Sequence, residues 1–209
     1  MKKGFVGIGL VIVGCLILLV YSIRNIRGSS DSVLLEPYKI KGNPEAPHAL
    51  VVFSDFECPF CDEIRHTVEQ LLETYPDKLK IMFKHFPLSS HEYAAQAAEA
   101  AECAAEQGKF WPYHDMLFNK AVEWSNSADV SPFFAKYAKE LGLDTVHFQH
   151  CVNSGIKKLI VKNNQKEGRK FFVSGTPTLL LDGTKVMTRH SLDYLKKEIE
   201  MAFQREAKI

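Results

Sequence analysis

Two cysteines separated by two residues, Cys58-Pro59-Phe60-Cys61, are the part of this sequence best suited to chemistry. Thiols at that spacing can close into a small disulfide and open again, which is redox chemistry before it is structure. An apolar run, Leu50-Val51-Val52-Phe53, leads into them and a helical pattern follows, so Cys58 falls at a helix start. There the unpaired backbone N–H groups and the positive end of the macrodipole favour thiolate over thiol. The thiolate is the form that attacks disulfides. Asp55, Glu57, Asp62 and Glu63 crowd the same stretch. They suit a helix start, yet oppose a Cys58 thiolate by repulsion.

The elements that must hold this pair follow from periodicity. A strand is expected over 49–54 and a helix over 59–75, with Ile64, Val68, Leu71 and Tyr75 as one apolar stripe and Pro76 as its stop. Pro59 suits the first helical turn, where its missing N–H had no partner. A second strand over 79–86 makes the unit strand, helix, strand, which implies a parallel, right-handed crossover. From 89 to about 171 the pattern is helical almost throughout, with candidate helices over 91–107, 109–121, 131–141, 144–153 and 156–170, and reads as an insertion. Phe110, Trp111 and Phe118 read as its packing face. A strand over 178–181, a turn at Asp182-Gly183, a short strand over 185–187 and a last helix from Ser191 complete the pattern. Ser191 is the expected N-cap, and Leu192, Leu195, Ile199 and Phe203 the buried stripe.

The 209 residues, 46% of them hydrophobic, suffice for one domain and an appendage. The formal net charge is +1, with four of the 26 basic residues and no acid in residues 1–30. The remainder is mildly acidic without a basic cluster, which argues against a nucleic-acid partner. Residues 4–23 form an uncharged stretch bounded by Lys2-Lys3 and Arg24. As a helix it would span about 30 Å, the thickness of a hydrocarbon core. It is read as an uncleaved signal anchor, so that residues 1–30 are a membrane anchor and linker and residues 31–209 the folded domain. Cleavage after this stretch, or lipidation at Cys15 in Ile12-Val13-Gly14-Cys15, stays open as an alternative.

Strand, Cys-X-X-Cys at a helix start, strand, helical insertion, then Gly175-Thr176-Pro177-Thr178 before a hairpin and a last helix: over roughly residues 36–205 the sequence resembles the DsbA-like thioredoxin-fold family. The stretches that carry the resemblance are 53–61, Gln107-Gly108-Lys109-Phe110-Trp111 with His114-Asp115, and 173–178. It implies a thioredoxin fold, a central mixed β-sheet flanked by helices, with the α-helical insertion, preceded here by the transmembrane helix. It implies Cys58 as the attacking, more exposed thiol and Cys61 as the buried resolving one. Pro177 would be a cis-proline facing the dithiol, with Thr176 offering backbone groups to an extended substrate peptide. Cys103 and Cys151, in two helices of the insertion, would form the second disulfide that related extracytoplasmic members often carry. Two features depart from the family's best-known members. Phe60 stands where strongly oxidising relatives have His, and Val52, six residues before Cys58, where thioredoxin-like reductases often keep a buried acid.

The function expected is that of a membrane-anchored thiol:disulfide oxidoreductase of a bacterial cell envelope, with its catalytic domain in the extracytoplasmic space. Its substrates would be exported proteins with cysteines, and its redox partner a membrane thiol oxidase or reductant. No dissociable cofactor is implied, because the cysteine pair is the redox centre. Isomerase, reductase and non-catalytic holdase are the alternatives. A zinc site of Cys58 and Cys61 with His147, His150 or Cys151 is the less favoured reading, since one Cys-X-X-Cys is half a site. Lys84 and His85 are expected as a solvated pair at a strand end, and no histidine is singled out as an acid or base.

Overall fold

The computed structural model describes residues 36–186 and 191–206, without the side chains of Arg205 and Glu206. The expected anchor over 4–23, and Cys15 within it, lie outside the described residues, as does Met187. Five strands form one sheet in the order β1-β3-β2-β4-β5, namely β1 (Ile40–Gly42), β2 (His48–Ser54), β3 (Leu79–His85), β4 (Thr178–Leu181) and β5 (Thr184–Val186). β2 and β3 run parallel, with Leu50 opposite Ile81, and the other neighbours pair antiparallel. The parallel pair requires a crossover, and α1 (Pro59–Thr74) supplies it. β1, with three residues and a glycine end, escaped periodicity.

One face of the sheet, carrying Leu50, Val52, Ile81, Leu179 and Leu181, packs on α1 through Ile64, Val68 and Leu71 and on α8 (Leu192–Glu206) through Leu195 and Ile199. These are the stripes read from the sequence, and Ser191 caps α8 by accepting from the Tyr194 N–H at 3.3 Å. The insertion comprises α2 (Ala94–Ala105), α3 (Phe110–Asn119), α4 (Ala121–Ser125), α5 (Ser131–Glu140), α6 (Thr145–Ser154) and α7 (Lys158–Lys170). The single helix expected over 109–121 is thus two, joined at Lys120. Alanines of α2 interlock with Phe110, Tyr113, Trp124, Phe134, Tyr137 and Phe148 in a second core. α7 lies against the sheet at Gly168, where any Cβ would meet Phe86 at 2.9 Å and Phe53 at 3.0 Å. Among the described residues no helix is long and apolar enough to cross a membrane.

Lys84 and His85 correct the expectation of a solvated pair, for both are fully buried. They sit on β3 beneath the segment 36–39 and α7. Lys84 Nζ meets Glu36 at 2.8 Å and Glu167 at 3.0 Å. Lys39 Nζ meets Glu102 at 2.8 Å and the Asn164 side-chain Oδ1 at 2.9 Å, and His85 Nε2 reaches the same Glu102 oxygen at 2.8 Å. Burial holds His85 below the ordinary imidazole range, with the Lys39 charge acting in the same direction. Burial also opposes ionisation of Glu102, but hydrogen bonds from His85 and Lys39 and the Lys39 charge hold its carboxyl down at about 2. A strand-end position gave no hint of this, because the partners come from residues far away in sequence.

Candidate active site

β2 delivers its chain to the dithiol through a braced turn. The buried Asp55 carboxylate accepts from the Glu57 N–H at 2.8 Å, the Leu88 N–H at 2.7 Å and His91 Nδ1 at 2.8 Å. Glu57 accepts from the Tyr93 N–H at 2.7 Å, ahead of α2. Asp62 pairs with Arg65 at 2.8 Å. Three of the acids that crowd the motif in sequence are therefore committed to bracing and pairing, and none is among the principal influences on Cys58.

Cys58 occupies the N-cap position of α1 and Pro59 its first turn. Cys61, one turn on, is 1% exposed and Cys58 5%, so the attacking thiol is the more open of two buried groups. Both are free thiols. The Cys58 Sγ lies 3.4 Å from the Thr176 carbonyl oxygen. A hydrogen bond from the Cys61 thiol lowers the Cys58 pKa most. Burial pushes the other way, while Thr176 and the N–H groups of Cys61 and Phe60 add to the lowering, and the value settles at about 6. Burial drives the Cys61 thiol far up instead, with Cys58 reinforcing the shift and Ser54 opposing it. The two thiols are thus split into a ready nucleophile and a reluctant one. The balance between the helix start and the crowding acids, open in the sequence, falls at Cys58 to hydrogen bonds on its sulfur, the Cys61 thiol first.

Facing the pair, Thr176-Pro177 is a cis peptide bond, as the resemblance implied. Pro177 is buried and Thr176 half-buried, with its Oγ1 enclosed and lacking a partner. Phe60, between the cysteines, is 60% exposed. The structure thus brings Cys58, Cys61, Thr176 and Pro177 into one site. Cys103 and Cys151 lie away from it, bridged as a disulfide with Cα atoms 5.8 Å apart, joining α2 to α6. With Cys151 so bonded it has no thiolate to offer a metal. Among the described residues no three His, Cys, Asp or Glu side chains group to hold one.

The family model described as thioredoxin matches residues 36–201. The chain belongs to the thioredoxin family. The solved structures similar to it share its fold. A thioredoxin-like oxidoreductase from Silicibacter pomeroyi superposes with a TM-score of 0.68 at 23% identity, covering 81% of this chain and 94% of that one. BdbD from Bacillus subtilis gives 0.70 at 21% identity over 78% and 91% of the two chains. Alpha-DsbA1 from Wolbachia pipientis gives 0.70 at 21% over 83% and 94%. Among curated proteins, the Na(+)/H(+) antiporter NhaA 3 of Salinispora tropica is 32% identical over 188 residues, 86% of this chain but 28% of its own length. The chain thus spans less than a third of such relatives. Family, fold and the split dithiol agree in offering thiol–disulfide exchange as the chemistry this site can perform.

Proposed function

We propose that the protein introduces disulfides into exported proteins from the extracytoplasmic side of a bacterial membrane, held there by residues 4–23. In the reaction a client thiolate attacks Cys58 of the Cys58–Cys61 disulfide, and that bond breaks as a mixed disulfide forms with Cys61 reduced. A second client thiolate then attacks the client sulfur, completing the client's disulfide and releasing Cys58 as thiolate. The client has lost two electrons and the pair has gained them. A membrane thiol oxidase removes them again. The Thr176 backbone, beside Cys58, is the edge on which an extended client segment pairs.

One observation carries the choice of direction. A Cys58 held at about 6 is a stable thiolate at neutral pH, and stabilising the reduced form makes a pair oxidising. This is consistent with disulfide donation, and the potential of the pair is the measurement that separates donation from reduction. The antiport named for the curated relatives is not carried over, since this chain matches a minor part of them. Equilibration of the pair in glutathione buffers tests the direction: a potential above about −200 mV is expected, and one near thioredoxin's roughly −270 mV makes the protein a reductase.

A further inference from the structure

Behind Cys61 lies a cavity of about 30 Å³, lined by Cys61, Ser54, Lys41, Arg65, Glu69 and His114 among others. That is room for at least one water, in a lining mostly apolar with Ser54, Lys41, Arg65, Glu69 and His114 as its polar members. Cys61 must shed its proton before it can attack, and its burial makes that hard. β2 offers no acid or base to help, because Val52 lines the same cavity with an apolar side chain. His114 stands across it on α3, buried and ringed by Phe56, Phe83 and Phe118. Its Nδ1 is 2.8 Å from the Asp115 carboxylate. That bond places the neutral ring's proton on Nδ1 and leaves the Nε2 lone pair to accept another.

The charged groups that face the ring from the neighbouring elements are Lys41 on β1 and Arg65 and Glu69 on α1, with Asp115 on its own helix. Glu69 is paired with Lys41 at 2.7 Å and Arg65 with Asp62 at 2.8 Å. Burial, aided by Lys41 and Arg65, keeps the His114 imidazole below its ordinary range against the pull of Asp115.

We infer that His114 is the proton relay of Cys61, accepting its proton through water in the shared cavity and returning it in the reverse step. When the oxidised pair is regenerated, the Cys61 proton passes to His114 Nε2 and the Cys61 thiolate attacks the Cys58 sulfur of a mixed disulfide. The Cys58–Cys61 bond forms, and the partner sulfur leaves with the electron pair of the bond that breaks. When a client attacks, the imidazolium gives the proton back to departing Cys61. The inference rests on the dithiol acting as proposed above.

The test is stopped-flow reaction of the reduced full-length protein with 5,5′-dithiobis(2-nitrobenzoate). The first phase is attack by Cys58 and the second is displacement of the bound nitrobenzoate by Cys61. In the wild type, log rate of the second phase should rise with pH and bend to a plateau as His114 loses its proton. His114→Gln should slow the second phase relative to the first at least about tenfold at pH 7, and turn its profile into a line of slope one up to pH 9. A wild-type profile of slope one without a bend overturns the inference whatever the variant does, as does a folded His114→Gln protein that keeps the wild-type bend and rate. Failure of Cys58 to take up the label at all overturns the proposed function as well, and so is distinguishable.

Discussion

At Cys58 the sequence and the structure meet most closely. Its spacing to Cys61 and its place at a helix start were legible from four residues and an apolar lead-in. The depth of its shift was not, because it comes first from the hydrogen bond of the buried Cys61 thiol, whose burial is decided by the fold. The shift has a consequence for stability. Folding lowers the Cys58 pKa from 9.0 to about 6, so the folded state holds fewer protons than the unfolded chain between those values. The stabilisation is fully present above 9 and disappears as pH falls through about 6. Only the reduced form has this thiol to titrate. The stability of the reduced protein relative to the oxidised one should therefore rise from pH 6 to pH 8.5, measured as the difference between two urea midpoints. A difference independent of pH would show that Cys58 is not stabilised as a thiolate.

At the scale of elements, one device staples the insertion internally and another ties it to the sheet, and they differ in how readable they were. The Cys103–Cys151 bridge closes 48 residues, worth ~4 kcal/mol in the chain-entropy model. Replacing both cysteines by alanine should lower stability by about 2–4 kcal/mol in chemical denaturation while Cys58 keeps its alkylation rate. The charge cluster of Lys39, Lys84, His85, Glu36 and Glu102 ties the segment before β1 to β3, α2 and α7. Glu102→Gln strips Lys39 of a buried counter-charge and should cost about 3 kcal/mol or more, seen as a drop in Tm. The bridge came from a family resemblance, and helix existence from 3.6-residue periodicity. The cluster escaped because charged residues ordinarily mark surface, and their burial is decided by partners assembled only in the fold. β1 escaped for a related reason: three residues pairing at an edge leave no pattern to count.

The whole molecule joins this domain to an apolar N-terminal stretch, and the proposal depends on both. If residues 4–23 anchor it, the full-length chain should stay in the membrane pellet through alkaline carbonate extraction, and a chain starting at residue 31 should not. Recovery of the full-length protein in the extract would remove the anchor from the proposal. Within the domain, the crossover from β2 through α1 to β3, the hairpin of β4 and β5 and the last helix were legible, because each segment's period agrees with its place in the fold. The packing of the insertion was not, since alanine-rich α2 shows no stripe narrow enough to name its neighbours.

A protein that carries a finished Cys103–Cys151 bridge has itself been a client of disulfide chemistry. Its newly made chain presents four thiols between residues 58 and 151, and only one pairing of them builds the insertion. Until α2 and α6 come together, Cys58 has wrong partners within its own chain. Maturation of the chain thus depends on the same exchange proposed for its own dithiol, with an earlier copy or another oxidant as midwife.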